Sequence, residues 1–92
     1  MASFRLQIVS QTRVLLDQDV VSIIVPGHAG YFGVLANHAP MLAALGKGKL
    51  TIKPTPHEEK TFEIDGGFLE VRDNQAILLP DHVSGFEVKT GD

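Results

Sequence analysis

The sequence contains no cysteine, so neither disulfides nor thiolate metal sites hold this fold together. No apolar stretch approaches the ~20 residues that span a bilayer, and the opening Met1-Ala2-Ser3-Phe4-Arg5 does not read as a signal peptide. Work at a membrane is therefore expected to go through a protein partner. There is no basic run, and the formal net charge is -3, which argues against a nucleic-acid surface. Nor is there a capped apolar stripe of 3.6-residue period long enough for a helix.

What is present is an apolar fraction of 43% in 92 residues, enough for one packed core and too much for a disordered chain. A chain this short buries only roughly 60–65% of its unfolded surface. The expectation is a single domain over residues 1–92, with a tail from about residue 82.

Alternation of period two dominates, and that is the strand signal. Phe4, Leu6 and Ile8 alternate with Arg5 and Gln7; Leu50 and Ile52 with Lys49, Thr51 and Lys53; Phe62 and Ile64 with Thr61, Glu63 and Asp65. Asp17-Gln18-Asp19 reads as a turn joining residues 13–16 to residues 20–25 in a hairpin. The second of those runs is apolar on both sides except at Ser22, so it should lie deep. Asp65-Gly66-Gly67 interrupts a run that resumes with Phe68-Leu69-Glu70-Val71, as a bulge or corner rather than a chain end. Asp73-Asn74 reads as a tight turn into residues 75–79. Many short strands with closely spaced turns favour a sandwich or barrel.

Residues 27–45 depart from this pattern. Tyr31, Phe32, Val34, Leu35, Met41, Leu42 and Leu45 occur there without sustained alternation, punctuated by Gly30, Gly33 and Pro40. The segment reads as a long irregular loop, of a kind often functional. It either caps one end of the sandwich or exposes an apolar patch to a partner.

No catalytic constellation emerges. His28, His38, His57 and His82 are far apart and lack the local spacing of zinc ligands. Asp17, Asp19, Glu58, Glu59, Asp65 and Asp73 sit where turns and strand edges want solvated groups, and nothing singles out a catalytic pair. Lys60 reads as a surface charge. Gly27-x-x-Gly30-x-x-Gly33 follows a strand but matches neither G-x-G-x-x-G nor a P-loop, and no helix follows to hold a phosphate. Ser3, Ser10, Ser22 and Ser84 lack a nucleophile-elbow context. No metal and no cofactor is expected.

The stretch Val25-Pro26-Gly27-His28-Ala29-Gly30-Tyr31-Phe32-Gly33-Val34-Leu35-Ala36-Asn37-His38-Ala39-Pro40-Met41-Leu42 resembles the signature of the ATP synthase epsilon family. Gly46-Lys47-Gly48-Lys49-Leu50-Thr51-Ile52 and Ile64-Asp65-Gly66-Gly67-Phe68-Leu69-Glu70-Val71 agree in order and spacing. So do Leu6-Gln7-Ile8-Val9-Ser10 and Ala76-Ile77-Leu78-Leu79, and the likeness runs from about residue 4 to 81. The resemblance implies an all-β, flattened sandwich of about ten short strands. It further implies attachment to the gamma subunit of the central stalk, with one end resting on the membrane ring of c subunits, peripheral on the cytoplasmic face of a bacterial inner membrane or its equivalent.

By the same resemblance Gly30, Tyr31, Phe32 and Gly33 approach the ring, while Ser10, Asn37, His38, Ala39, Pro40 and Met41 lie near gamma. An acidic residue is common in the family where Tyr31 stands, so an aromatic contact is expected in place of a charged one. At least one of Tyr31 and Phe32 should be exposed, and apolar surface should surround residues 38–41. The family usually continues into an Ala/Glu-rich helical hairpin that regulates ATP hydrolysis. Here residues 81–92 are polar and carry Gly85 and Gly91, so inhibition by insertion is not expected; ATP binding is not expected either, because the glycine run lacks the lysine and helix terminus that hold phosphates. The alternatives are a free-standing β-sandwich module for a ligand or peptide, which needs a concave polar site, and a small hydrolase, which lacks a nucleophile.

Overall fold

Seven strands form one continuous sheet in the order β2-β1-β7-β6-β5-β3-β4. The computed structural model describes residues 2–85, and among these there is no helix. The strands are β1 (Phe4–Val9), β2 (Val14–Val20), β3 (Ser22–Gly27), β4 (Gly30–Leu35), β5 (Met41–Lys53), β6 (Lys60–Arg72) and β7 (Gln75–Ser84). All neighbours are antiparallel except β1 and β7, which run parallel.

The sheet becomes a sandwich because its three longest strands serve both layers. Residues 41–45 of β5 pair with residues 67–71 of β6, which pair with residues 76–80 of β7; β1 and β2 complete this first layer. Beyond the corner, residues 47–52 of β5 pair with residues 60–65 of β6, and β3 and β4 complete the second layer. The corner needs glycine: Gly66 and Gly67 have φ of 78° and 116°, which side chains rarely tolerate. Ladder register is the same on both sides of it. Asp65-Gly66-Gly67 is thus a corner without a bulge. Seven strands, three of them long and bent this way, do the work of the ten short ones expected.

Alternation aims Leu6, Ile8, Leu69 and Leu78 of the first layer at Ile23, Val25, Leu50 and Ile52 of the second, all at most 1% exposed. No polar or charged residue is buried among the described residues, so this core rests on apolar burial alone. Asp73 and Asn74, with φ of 53° and 59°, form the two-residue type I′ turn of the β6–β7 hairpin.

Other expectations change as well. Asp17-Gln18-Asp19 is no turn: it lies within β2, opposite Gln7, Leu6 and Arg5 of β1. Acidic residues suit it because β2 is an edge strand, where charge blocks further pairing. Strand β3 is not buried on both faces, since Ile24 is 46% exposed. Residues 27–45 are mostly strand, and only residues 36–40 between β4 and β5 are irregular. Glycine at three of those positions hides the alternation by removing side chains from it. At the far end β7 continues to Ser84, so residues 82–84 belong to the sheet; residues 86–92 of the expected tail lie outside the described residues.

Candidate functional site

Every large hydrophobic side chain that the described residues expose stands beside an apolar neighbour in sequence. They are Val14, Ile24, Tyr31, Leu35, Leu42, Phe68 and Leu79, next to Leu15, Ile23, Phe32, Val34, Met41, Leu69 and Leu78. A strand sends consecutive side chains to opposite faces, so each doublet places one member in the core and the other outside. Two apolar patches result, one on the outer face of each layer.

On the first layer, Ala44, Phe68 and Leu79 lie side by side across β5, β6 and β7, and Leu42 stands two residues before Ala44. Phe68 is 54% exposed and Leu42 73%. Phe68 and Leu79 also line an open hollow of about 650 Å³ with Ser10 of the β1–β2 turn. The Ser10 hydroxyl holds that turn, donating to the carbonyl of Arg13 and accepting from the N–H groups of Thr12 and Arg13.

On the second layer, Tyr31, Gly33 and Leu35 of β4 lie opposite Pro26, Ile24 and Ser22 of β3. The β3–β4 hairpin closes in two residues, His28 and Ala29, between the paired Gly27 and Gly30. Gly27 is required there, because a Cβ on it would lie 2.6 Å from the Gly30 carbonyl oxygen. The hairpin end is tied to the corner by the His28 N–H, which donates to the Ala44 carbonyl. Tyr31 is exposed and Phe32 is packed partly against the core.

Of the residues expected near gamma, Asn37, His38, Ala39 and Pro40 form the β4–β5 connection. Asn37, at φ 63°, donates its N–H to the Asn74 side chain, whose amide donates in turn to the Ser3 carbonyl. His38 Nδ1 donates to the Ala39 carbonyl at 2.7 Å, which orders the loop locally. Met41 packs partly against the core, and its exposed doublet partner is Leu42. Ser10 is not beside these residues: it follows the far end of β1 from Asn74, roughly 20 Å along a six-residue strand. The Leu42–Phe68–Leu79 patch spans the ground between them. Sequence reasoning left out Phe68 and Leu79 as contacts, and the doublets Phe68-Leu69 and Leu78-Leu79 are the signal that could have found them.

Among the described residues no three His, Asp or Glu side chains come together to hold a metal, and no buried side-chain nitrogen or oxygen lacks a partner. The clearest electrostatic feature is structural. Arg5 bonds to Asp17 at 2.7 Å and to Asp19 at 3.3 Å across the β1–β2 pair. Its guanidinium holds the Asp17 carboxyl below the usual carboxylate range.

Residues 3–84 match the family described as ATP synthase, Delta/Epsilon chain, beta-sandwich domain. The epsilon chain of Chlorobaculum tepidum is 45% identical over 82 residues, 89% of this chain and 93% of that one. The Chlorobium limicola epsilon chain is 43% identical over the same coverage. That of Leptospira interrogans is 41% identical over 85% of this chain but 61% of its own length. The fold is also similar to a chain of the Euglena gracilis mitochondrial ATP synthase, with a TM-score of 0.84 at 24% identity over 91% of this chain and 54% of that one.

Proposed function

This chain belongs to the family of ATP synthase delta/epsilon β-sandwich domains, and from that premise we propose how it works: as a non-catalytic part of the rotor that links the gamma subunit to the c-subunit ring. Coupling proton flow to ATP synthesis through such a link asks for a stiff body with two separate contact regions. A sandwich whose three longest strands run through both layers is such a body.

The observation that carries the assignment of surfaces is the apolar strip of Leu42, Ala44, Phe68 and Leu79. It joins Ser10 at one end of the first layer to Asn37, His38, Ala39, Pro40 and Met41 at the other. We assign this strip and its two ends to gamma. Monomeric proteins rarely leave such a strip uncovered, and a stable attachment buries about 1,200–2,000 Å² in total, which needs the whole face. The β3–β4 side of the corner, with the His28-Ala29 tip and Gly30, Tyr31, Phe32 and Gly33, is then left for the ring, across the sheet from Ser10. The chain would sit at the membrane through these partners, on the side that carries the catalytic head.

The test is co-purification of the chain with its gamma subunit, and of that pair with the c-ring. Capture of gamma by this chain and of the ring by the pair is expected. Failure of the chain to bind gamma would remove the proposal.

A further inference from the structure

Tyr31 looks at first like a free aromatic side chain offered to the ring, since it is 60% exposed. Its hydroxyl is nevertheless occupied. The backbone N–H of Lys49 on β5 donates to Tyr31 Oη at 2.9 Å. This bond crosses over β3, the strand that lies between β4 and β5.

The reason lies in the register of the β3–β5 ladder. Ile24 pairs with Thr51 and Gly27 with Leu45, so three steps along β3 face six along β5. The ladder therefore fails over residues 46–50, where β5 makes its corner, and Lys49 N–H has no carbonyl of β3 opposite it. Tyr31 reaches over Pro26, its pair on β3, and supplies an acceptor. Its ring lies against Gly48. A Cβ built on that glycine would fall 3.1 Å from Tyr31 Cζ and 2.9 Å from Pro26 Cβ, and closer still to the hydroxyl. Gly48 has no positive φ to explain it; the tyrosine ring does.

We infer that Tyr31 is a positioning residue. It braces the β3–β4 hairpin to the corner of β5 across the broken ladder, and so fixes the direction of the His28-Ala29 tip. The contact with the ring then falls to the tip, and Tyr31 acts through it. This rests on the assignment of the corner end to the ring made above. Near the corner the hairpin is otherwise held by the Gly27–Leu45 pairing, the His28 N–H bond and the partial packing of Phe32 on the core. An ordered tip engages its partner at lower cost than a loose one, because less conformational freedom has to be lost on contact.

Amide hydrogen exchange and coupling measurements test this together. In Tyr31→Phe the ring stays and the acceptor goes, so the Lys49 amide should exchange roughly five-fold faster, the factor for one net hydrogen bond. Unchanged exchange at Lys49 overturns the inference. In the reconstituted membrane complex, Gly48→Ala displaces the ring while leaving the tyrosine in place. It should lower proton pumping per ATP hydrolysed as Tyr31→Ala does, and the double variant should be no worse than either, since the two changes break one brace. If Gly48→Ala is silent while Tyr31→Ala is not, Tyr31 touches the ring itself and the inference fails. If the Lys49 amide responds but Tyr31→Ala, Gly48→Ala and Ala29→Asp all leave pumping intact, the brace stands and the corner end faces something other than the ring.

Discussion

Arg5 reaches from β1 to two carboxylates of the neighbouring edge strand, Asp17 and Asp19, and this makes part of the stability depend on pH. The Arg5 hydrogen bond lowers the Asp17 pKa from its ordinary 3.8. A carboxyl held below its unfolded value stabilises the fold above that value, and the contribution is lost as pH falls through the lowered pKa. The pair is exposed, so the effect is small. Asp17→Asn should lower the melting temperature slightly at neutral pH, with the deficit shrinking as pH falls below 3.8 and through the lowered pKa; thermal melts across that range decide it, and an equal deficit at both ends would remove Arg5 as the cause.

Backbone geometry sets a larger effect at the corner. A Cβ on Gly67 would press on the Leu79 carbonyl and lie 2.6 Å from Pro80 Cα, both backbone atoms of β7. At Gly66 the nearest obstacle is the end of the Asp81 side chain, which can turn away. Gly67→Ala should therefore cost more than the ~1–3 kcal/mol of a strained residue alone, and clearly more than Gly66→Ala, in denaturant titrations. Equal costs would show that the β7 backbone yields.

At the scale of elements, alternation was legible wherever one face carried polar residues. Strand β1 (Phe4–Val9) and the second-layer halves of β5 and β6 were read correctly for that reason. The turn at Asp73-Asn74 was legible because few residue pairs accept positive φ twice. Asn74 does more than turn, since its side chain ties Asn37 and Ser3 together. Asn74→Ala should lose both bonds and the tolerated φ, costing about 1–3 kcal/mol as read from the urea midpoint; a shift within error would mean water replaces the side chain.

Two elements were not legible, for physical reasons. Asp17-Gln18-Asp19 has turn chemistry, and only the presence of Arg5 and Gln7 opposite, fixed by β1–β2 pairing, makes it strand. Strand β4 (Gly30–Leu35) has glycine at two of six positions, so one of the three positions on each face is blank. The bond from Lys49 to Tyr31 was beyond sequence altogether, because it depends on a register slip between β3 and β5 that only the folded corner produces.

For the molecule as a whole, both layers carry an apolar patch, and the proposed function gives gamma the first-layer one. The first-layer strip of Leu42, Ala44, Phe68 and Leu79 connects Ser10 to residues 37–41, whereas Leu35 and Ile24 lie on the opposite layer. Met41 is a poor probe of this, because it packs against the core and a charge there would disturb folding as well as binding. Leu42 and Leu35 are better matched, at 73% and 65% exposed, and surface substitutions away from special features usually change stability by no more than about 0.5 kcal/mol. Leu42→Asp places a charge within the proposed interface, where an unpaired buried carboxylate costs several kcal/mol. It should weaken binding to gamma by about a hundredfold or more, at roughly 1.4 kcal/mol for each factor of ten, with a melting temperature close to that of the parent. Leu35→Asp should melt alike and bind as the parent does. Calorimetric titration of gamma with the three proteins measures this directly. The reverse order, with Leu35→Asp released and Leu42→Asp retained, would move gamma to the second layer and leave the Phe68 strip to another partner.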